Sequence, residues 1–281
     1  MLKKTTVAIS EVNRSHYSTN GRVLNNDQVV VEEPLQISLV WHQDDQELEE
    51  ILTITMRTPG DDFNLATGLL QAEGIIRSAT DIDSFELEKN QLQITLKSGL
   101  LPDLDTLNRR QISQSSCGIC GKTSLSAIEI NHPPAMPEVA HFLNPLMVQH
   151  LPQTLRQHQP LFEQCGGIHG AALFNKSGQL IHCAEDVGRH NALDKLLGHQ
   201  LNQQKTPDGT EMILLSGRAS FELVQKTVMA GYAVLMAVGA PSSLAIKAAQ
   251  RFNLTLIGFV NNESMNVYTG EWRIKKAHHG E

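Results

Sequence analysis

The sequence predicts an α/β protein whose C-terminal part is built around a parallel sheet and whose smaller N-terminal part is α+β. Three short apolar segments alternate with helical patterns at 221–231 and 244–252 and predict the strands of that sheet: 212–215, 233–238 and 254–260. Uninterrupted apolar strands between helices are typical of parallel sheets with both faces covered. The proline-containing segment near residue 135 then divides the chain into predicted domains of 1–135 and 136–281.

The N-terminal part carries hairpin patterns and one helix. The first 30 residues are polar and rich in turn formers, so they predict a loose arm or an edge hairpin. Asp61 and Asp62 suit the N-terminal end of a helix that closes near Gly74. Strand residues occur on both sides of this helix, with Pro34 interrupting the first stretch, and predict strands over 29–40, 51–56, 85–88 and 92–96.

The C-terminal part begins with a predicted helix over 145–159, although Pro152 weakens the helical pattern. A hairpin follows, with strands at 171–174 and 180–183, and apolar residues over 192–197 then mark a helix of about three turns. These elements lead into the alternating strands and helices of the predicted parallel sheet.

The loops after the predicted parallel strands are the first candidate for a binding site. Crossover connections place the loops 216–220 and 239–243 at the same edge of the sheet, where open α/β sheets bind ligands. The helices that follow Ser220 and Ser243 would point free backbone N–H groups towards that edge, which suits phosphates and other anions. Arg218 can add a bidentate contact.

Composition excludes several classes of protein. The 281 residues carry 23 Lys and Arg against 30 Asp and Glu, a net charge of −7, whereas general nucleic-acid binders usually carry a basic face. No apolar run approaches the ~18 residues that span a bilayer, and no apolar core of a secretory signal follows the first lysines. We therefore expect a cytoplasmic protein with reduced thiols, no membrane partner and no nucleic-acid partner.

Cys117 and Cys120 form a C-x-x-C pair in a polar segment, and each is followed by glycine, which predicts an exposed, pliable loop. A thiol pair on such a loop can exchange sulfur or electrons, or form half of a zinc site. Structural zinc needs four ligands, and no second pair of ligands with suitable spacing is present. Cys165 and Cys183 are interpreted as small core residues, and His169 as a structural residue or a pocket lining.

The turn 185–191, Glu-Asp-Val-Gly-Arg-His-Asn, concentrates charged and hydrogen-bonding groups before a helix. It is consistent either with helix capping plus a surface ion pair or with the wall of a pocket. We expect the next two charged residues, Asp194 and Lys195, to face solvent. The chain has no G-x-S-x-G, Walker A, G-x-G-x-x-G or H-E-x-x-H motif, so the common hydrolase and nucleotide-binding templates do not apply.

Taken together, these segments resemble the FdhD family of formate dehydrogenase accessory sulfurtransferases. The matching motifs run through nearly the whole chain. A C-x-x-C pair alone would not be specific, whereas the long motif around Arg189 and His190 is. The motifs are Glu33-Pro34-Leu35, Leu65 to Ile76, Cys117-Gly118-Ile119-Cys120-Gly121, Glu185 to Lys195, Ser216 to Ser220, and Asn253 to Phe259.

The resemblance implies a function and a fold. It implies that Cys117 accepts persulfide sulfur from a cysteine desulfurase, that Cys120 assists or closes a disulfide, and that sulfur passes to a molybdenum (or tungsten) bis(guanine dinucleotide) cofactor. That cofactor is a bound client on its way to formate dehydrogenase, and no permanently bound metal is expected. The implied fold is a C-terminal cytidine-deaminase-like three-layer α/β/α domain that forms a homodimer. The H-x-E and P-C-x-x-C signature of deaminases is absent, so deamination is not implied.

The resemblance also implies a cofactor-binding segment directly after the last core strand: Phe259, Val260, Asn261, Asn262, Glu263 and Ser264. Relatives usually carry Arg or Lys where Asn261 stands, so Arg218 or Arg189 would have to supply the positive charge. Two rival hypotheses stay open at this point. One is a non-catalytic chaperone that binds the cofactor and has redox-sensing cysteines, and the other is a zinc-dependent hydrolase on the same fold.

Overall fold

A computed structural model describes residues 8–102 and 133–276 of the chain. The predictions for Cys117 and Cys120 lie outside these residues. The described parts contain a two-stranded hairpin, a four-stranded sheet and a six-stranded sheet. The proposed domain boundary at residue 135 stays a prediction.

The N-terminal hairpin consists of β1 (Ile9–Ser18) and β2 (Gly21–Val30), which pair in register from Ile9 opposite Val30 to Ser18 opposite Gly21. This confirms the hairpin alternative for residues 9–30. Nearly all of its side chains are exposed, and Tyr17 near its tip is 72% exposed.

The four-stranded sheet has the order β4-β3-β6-β5. Its strands are β3 (Glu33–Gln43), β4 (Gln46–Arg57), β5 (Ile82–Glu88) and β6 (Gln91–Leu96). The helix α1 (Asp62–Ala72) covers one face, and its Leu65 and Leu70 share a buried cluster with Leu35 and Ile37 of β3. The predicted stretch 29–40 is divided between β2 and β3, just before Pro34.

The six-stranded sheet has the order β12-β11-β10-β9-β7-β8. Its strands are β7 (His169–Phe174), β8 (Leu180–Asp186), β9 (Met212–Leu215), β10 (Val234–Ala237), β11 (Thr255–Gly258) and β12 (Asn266–Thr269). The neighbours β9, β10 and β11 are parallel, as predicted. The predicted parallel sheet is nevertheless extended by antiparallel strands at both ends, because β7 pairs antiparallel with β9 and β12 pairs antiparallel with β11.

Both faces of this sheet are covered by helices: α2 (Pro145–Gln157) on one face, and α4 (Arg189–Asn202), α5 (Phe221–Met229) and α6 (Ser243–Arg251) on the other. The short helix α3 (Pro160–Cys165), between α2 and β7, has no buried residue. Ile213 packs in one buried cluster with Leu193 of α4, whereas the next residue, Leu214, packs in another with Val148 of α2. The C-terminal part therefore has three layers, and α2 continues through Pro152.

The two parts join through α1 and α4, which pack at very close range. A Cβ atom at Gly198 of α4 would overlap the carbonyl oxygen of Asn64, and one at Gly68 of α1 would overlap that of Asp194. Glycine at both positions is therefore required for the approach. Across the same junction Asn202 Nδ2 donates to Asn64 Oδ1 at 2.9 Å. None of the helices within 8–102 and 133–276 is both long and apolar enough to cross a membrane.

Candidate functional site

Three loops, 216–220, 239–243 and 259–264, lie at the carboxyl edge of the parallel strands and are hydrogen-bonded to one another. Gly239 N donates to Gly217 O at 2.9 Å, and Phe259 N donates to Gly239 O at 3.2 Å. Ala219 N also donates to Ala240 O at 3.2 Å. The prediction that these loops meet at one edge of the sheet is confirmed.

Two glycines make room for side chains at this edge. A Cβ atom at Gly217 would lie 3.4 Å from Nδ1 of His169, and one at Gly239 would lie 3.0 Å from Cγ of Arg218. The His169 ring and the Arg218 stem therefore lie directly against the backbone of the loops. A side chain at Gly239 would force Arg218 to move.

His169 lies at this edge because β7 is antiparallel to both of its neighbouring strands. Ala171 pairs with Leu215 in the antiparallel ladder between β7 and β9, so the first residue of β7 lies beside the loop that follows β9. Gly170 N donates to Ser216 Oγ at 2.9 Å and fixes this arrangement. Burial, and then the charge of Arg189, lower the pKa of His169.

His190, the second residue of α4, is the other histidine of the edge. Its Nε2 lies 3.2 Å from Ser220 Oγ and 3.5 Å from Oε2 of Glu222. A nucleophilic triad uses the two ring nitrogens separately, one for the hydroxyl and one for the acid, so this arrangement is not a triad. Burial lowers the pKa of His190 to about 4, against the opposing charge of Glu222.

Two arginines give the edge its positive charge. Arg189 begins α4 and Arg218 lies in the loop after β9. Within the part of the chain that the structure describes, no carboxylate forms an ion pair with either guanidinium. Unpaired guanidinium groups beside backbone N–H groups are suited to bind phosphate oxygens.

The turn that carries Arg189 and His190 is held by a buried ion pair. Asp186 is fully buried, and Lys195 Nζ lies 2.7 Å from its Oδ2. Thr58 N also donates to Asp186 Oδ2 at 3.1 Å, and Lys195 Nζ donates to Thr58 O at 2.9 Å. The turn is thus attached to the end of β4, and the surface-ion-pair interpretation of 185–191 is wrong.

Asp194 and Lys195 do not face solvent, so that prediction is also wrong: they are 2% and 3% exposed. Asp194 pairs with Lys226 of α5, whose Nζ lies 2.9 Å from Oδ2. Burial raises the pKa of Asp194 to about 6, while Lys226 opposes the shift. Both residues are buried because α1 covers the side of α4 that faces away from the sheet.

The predicted cofactor-binding segment 259–264 lies at the same edge, but its six residues play different parts. Phe259 is 45% exposed, whereas Val260 is fully buried and presents only its backbone. Asn261 organises its own turn, because its Oδ1 accepts from Glu263 N at 2.9 Å and from Ser264 N at 3.0 Å. Asn262, Glu263 and Ser264 are exposed.

The remaining cysteines are poor candidates for thiolate chemistry. Cys183 packs against the core, as predicted, and burial raises the pKa of its thiol to about 12. Cys165 is partly buried and donates to Leu161 O at 2.9 Å. Among residues 8–102 and 133–276, no three His, Cys, Asp or Glu side chains converge to hold a metal ion.

Sequence reasoning assigned no individual role to His190 or Glu222. Their meeting depends on the packing of α4 beside α5, which no local pattern reveals. Topology gave the only signal, because both residues stand at helix starts that lead away from the predicted sheet edge.

The fold and the edge define an α/β protein in which Arg189 and Arg218 lie beside the loops at the carboxyl ends of parallel strands. The chain belongs to the FdhD/NarQ family, which it matches over residues 30–275. It is 44% identical to the sulfur carrier protein FdhD of Streptomyces avermitilis over 266 residues, which cover 88% of this chain and 89% of that protein. It is 38% identical to the sulfur carrier protein FdhD of Sulfolobus acidocaldarius, with 95% and 98% covered.

A solved structure has the same fold. The crystal structure of a protein described as a formate dehydrogenase accessory protein, from Desulfotalea psychrophila, superposes with a TM-score of 0.71. The match covers 95% of this chain and 100% of that chain at 22% sequence identity. At this level of identity the similarity concerns the fold alone.

Proposed function

We propose that this protein is a sulfur carrier that serves formate dehydrogenase, with Cys117 as the carrier residue. The observation that carries the proposal is the similarity, over most of the chain, to proteins named sulfur carrier protein FdhD from both Streptomyces and Sulfolobus. The partners are a cysteine desulfurase, which donates sulfur, and formate dehydrogenase, which receives the finished cofactor. We place the carrier in the cytoplasm.

The chemistry needs two exchanges at sulfur. In the first, the Cys117 thiolate attacks the outer sulfur of the desulfurase persulfide, so that the sulfur moves to Cys117 and the desulfurase thiolate leaves. In the second, the Cys120 thiolate attacks Cys117 Sγ and releases hydrosulfide, which becomes a ligand of the client metal. The two thiols supply the two electrons and end as a disulfide, which a cellular dithiol must reduce before the next cycle.

The client is a molybdenum bis(guanine dinucleotide) cofactor, and the sheet edge is its binding site. The edge supports this assignment because Arg189 and Arg218, which pair with no carboxylate among the described residues, flank the start of α5, which the Ser220 side chain does not cap. Phe259 adds an exposed aromatic ring beside them, suited to a nucleobase. Asn261 serves the turn, so the arginines supply the positive charge of the site.

We further propose that the C-terminal layers form a cytidine-deaminase-like domain and that the protein works as a homodimer. The antiparallel β7–β8 hairpin beside three parallel strands, with α4, α5 and α6 on one face, supports the first statement. Analytical ultracentrifugation of the full chain tests the second, and a sedimentation coefficient of a monomer at micromolar concentration would refute it.

The carrier role is tested by incubating the full chain with a cysteine desulfurase and cysteine, and then measuring intact mass. We expect a one-sulfur adduct that dithiothreitol removes, and we expect Cys117→Ala to abolish it. Cys183→Ala is the matched control, because its thiol stays protonated at neutral pH. An adduct that persists in Cys117→Ala would contradict the proposal.

A second candidate function is a non-catalytic cofactor chaperone with redox-sensing cysteines. One observation favours it: the described residues alone, Arg189, Arg218 and the three bonded loops, assemble the edge. Expression of the double variant Cys117→Ala/Cys120→Ala in a strain that lacks the endogenous protein separates the two functions. Full formate dehydrogenase activity would favour the chaperone, and loss of activity favours the carrier.

A further inference from the structure

Two histidines share the sheet edge with the two arginines, and the mechanism above gives them no role. His169 lies against Gly217, and His190 Nε2 lies 3.2 Å from Ser220 Oγ. Both rings are partly buried and approach the edge from different elements, His169 from the start of β7 and His190 from the start of α4. Because they lie beside the guanidinium groups of Arg189 and Arg218, they are candidates for binding the same phosphate groups as the arginines.

We propose that His169 and His190 bind the phosphates of the guanine dinucleotide together with Arg189 and Arg218, and that binding takes up protons from solvent onto these two rings. The inference rests on the proposed dinucleotide site and adds to it a coupling between pH and affinity. A neutral imidazole offers one N–H donor, whereas an imidazolium offers two donors and a charge.

The charges around His169 favour its neutral form in the free protein. Arg189 from α4 and Arg218 from the loop after β9 both oppose protonation, whereas Asp186 is the charge among the described residues that favours it. Asp186 is a weak counter-ion for His169, because Lys195 already lies 2.7 Å from its carboxylate. Burial acts in the same direction as the arginines and lowers the pKa of His169 further.

The charges around His190 also favour its neutral form. Among the described residues that act on it, Glu222 from α5 favours protonation, and it is shared with Lys226, whose Nζ lies 3.9 Å from Oε1. Arg189, Lys226 and His169 all oppose protonation, and burial contributes most to the pKa of about 4. The neutral form of both histidines is therefore favoured in the free protein.

A bound diphosphate reverses this balance. It places two negative charges beside Arg189 and Arg218, which removes the repulsion that these groups exert on the rings, and it accepts hydrogen bonds from the imidazolium N–H groups. The pKa values of both histidines rise, so the complex holds more protons than the free protein. Affinity must then increase as pH falls, by about tenfold per pH unit for each proton taken up.

The probe for this linkage is diguanosine diphosphate, because its two phosphates are esterified and keep a fixed charge across the range used. Titration calorimetry of the full chain at about pH 6, in several buffers of different ionisation enthalpy, gives the number of protons taken up per ligand. We expect net uptake by the unmodified protein and a clear loss of affinity between about pH 6 and about pH 8.

Substitution identifies the groups that take up the protons. We expect His190→Gln and His169→Gln each to reduce proton uptake, and the double variant to bind with almost no uptake and a flat pH profile. His150→Gln, on an exposed position of α2 across the sheet, is the matched control and should keep the full uptake. Circular dichroism checks that each variant is folded.

The outcomes separate this inference from the proposed function. Binding without proton uptake, or uptake that persists in the double histidine variant, would overturn the histidine role and leave the dinucleotide site intact. No measurable binding by the unmodified protein at either pH would overturn both.

Discussion

Removing the Lys195 ammonium should test whether the N-terminal part holds the turn 185–191 in place. Lys195→Met keeps most of the side-chain volume but leaves the Asp186 carboxylate, which is fully buried, without its counter-ion. Removing one partner of a buried ion pair typically costs ~3–5 kcal/mol. Asp186 keeps hydrogen bonds from Thr58 N at 3.1 Å, Gly188 N at 2.8 Å and Asn191 Nδ2 at 3.1 Å. We therefore expect a loss near the lower end, ~3 kcal/mol.

Urea unfolding followed by tryptophan fluorescence measures this loss, because Trp41 lies in the four-stranded sheet and Trp272 in the C-terminal part. Lys247→Met, on an exposed position of α6, is the matched control and should change stability by less than ~0.5 kcal/mol. The double variant Asp186→Asn/Lys195→Met should be more stable than Lys195→Met, since no buried charge is left unpaired. A loss below ~1 kcal/mol for Lys195→Met would refute the assignment of a buried, structurally required pair.

Three further predictions concern packing and acid stability. Gly198→Ala should separate α1 from α4 and lower the unfolding midpoint in urea, whereas Gly167→Ala, with no atom nearer than 3.9 Å to the added carbon, should not. The ring of His182 stacks on that of His199, with ring centroids 3.7 Å apart, and burial, followed by the charge of His199, lowers the pKa of His182 below 6.5. The unfolded chain therefore binds more protons than the folded one, and stability falls as the pH drops below 6.5. His182→Gln should flatten this fall in melting temperature when thermal melts are recorded at decreasing pH. Arg273→Met should cost ~2–3 kcal/mol in urea unfolding, because Arg273 is fully buried and its removal leaves the partly buried carbonyl oxygens of Asn253 and Pro137 without their donor.

The strands and the sheet edge where the loops meet were predictable because their signals are local. Four consecutive apolar residues in each of β9 and β10, and the pair Leu256-Ile257 in β11, are enough to predict buried parallel strands, and all twelve residues of the three strands are buried. Parallel strands with crossover helices place the following loops at one edge, which the hydrogen bond from Gly239 N to Gly217 O confirms. The strand β12 was missed because its pairing depends on the chain folding back after Ser264.

The burial of Asp194 and Lys195 was not predictable for a different reason. Charged residues are almost never fully buried unless they are paired, and the partners here come from distant parts of the chain, Lys226 and Asp186. A helix packed on one sheet shows a polar outer face, whereas α4 is covered by the sheet on one side and by α1 on the other. Only the packing between the two parts of the molecule makes both sides of α4 interior.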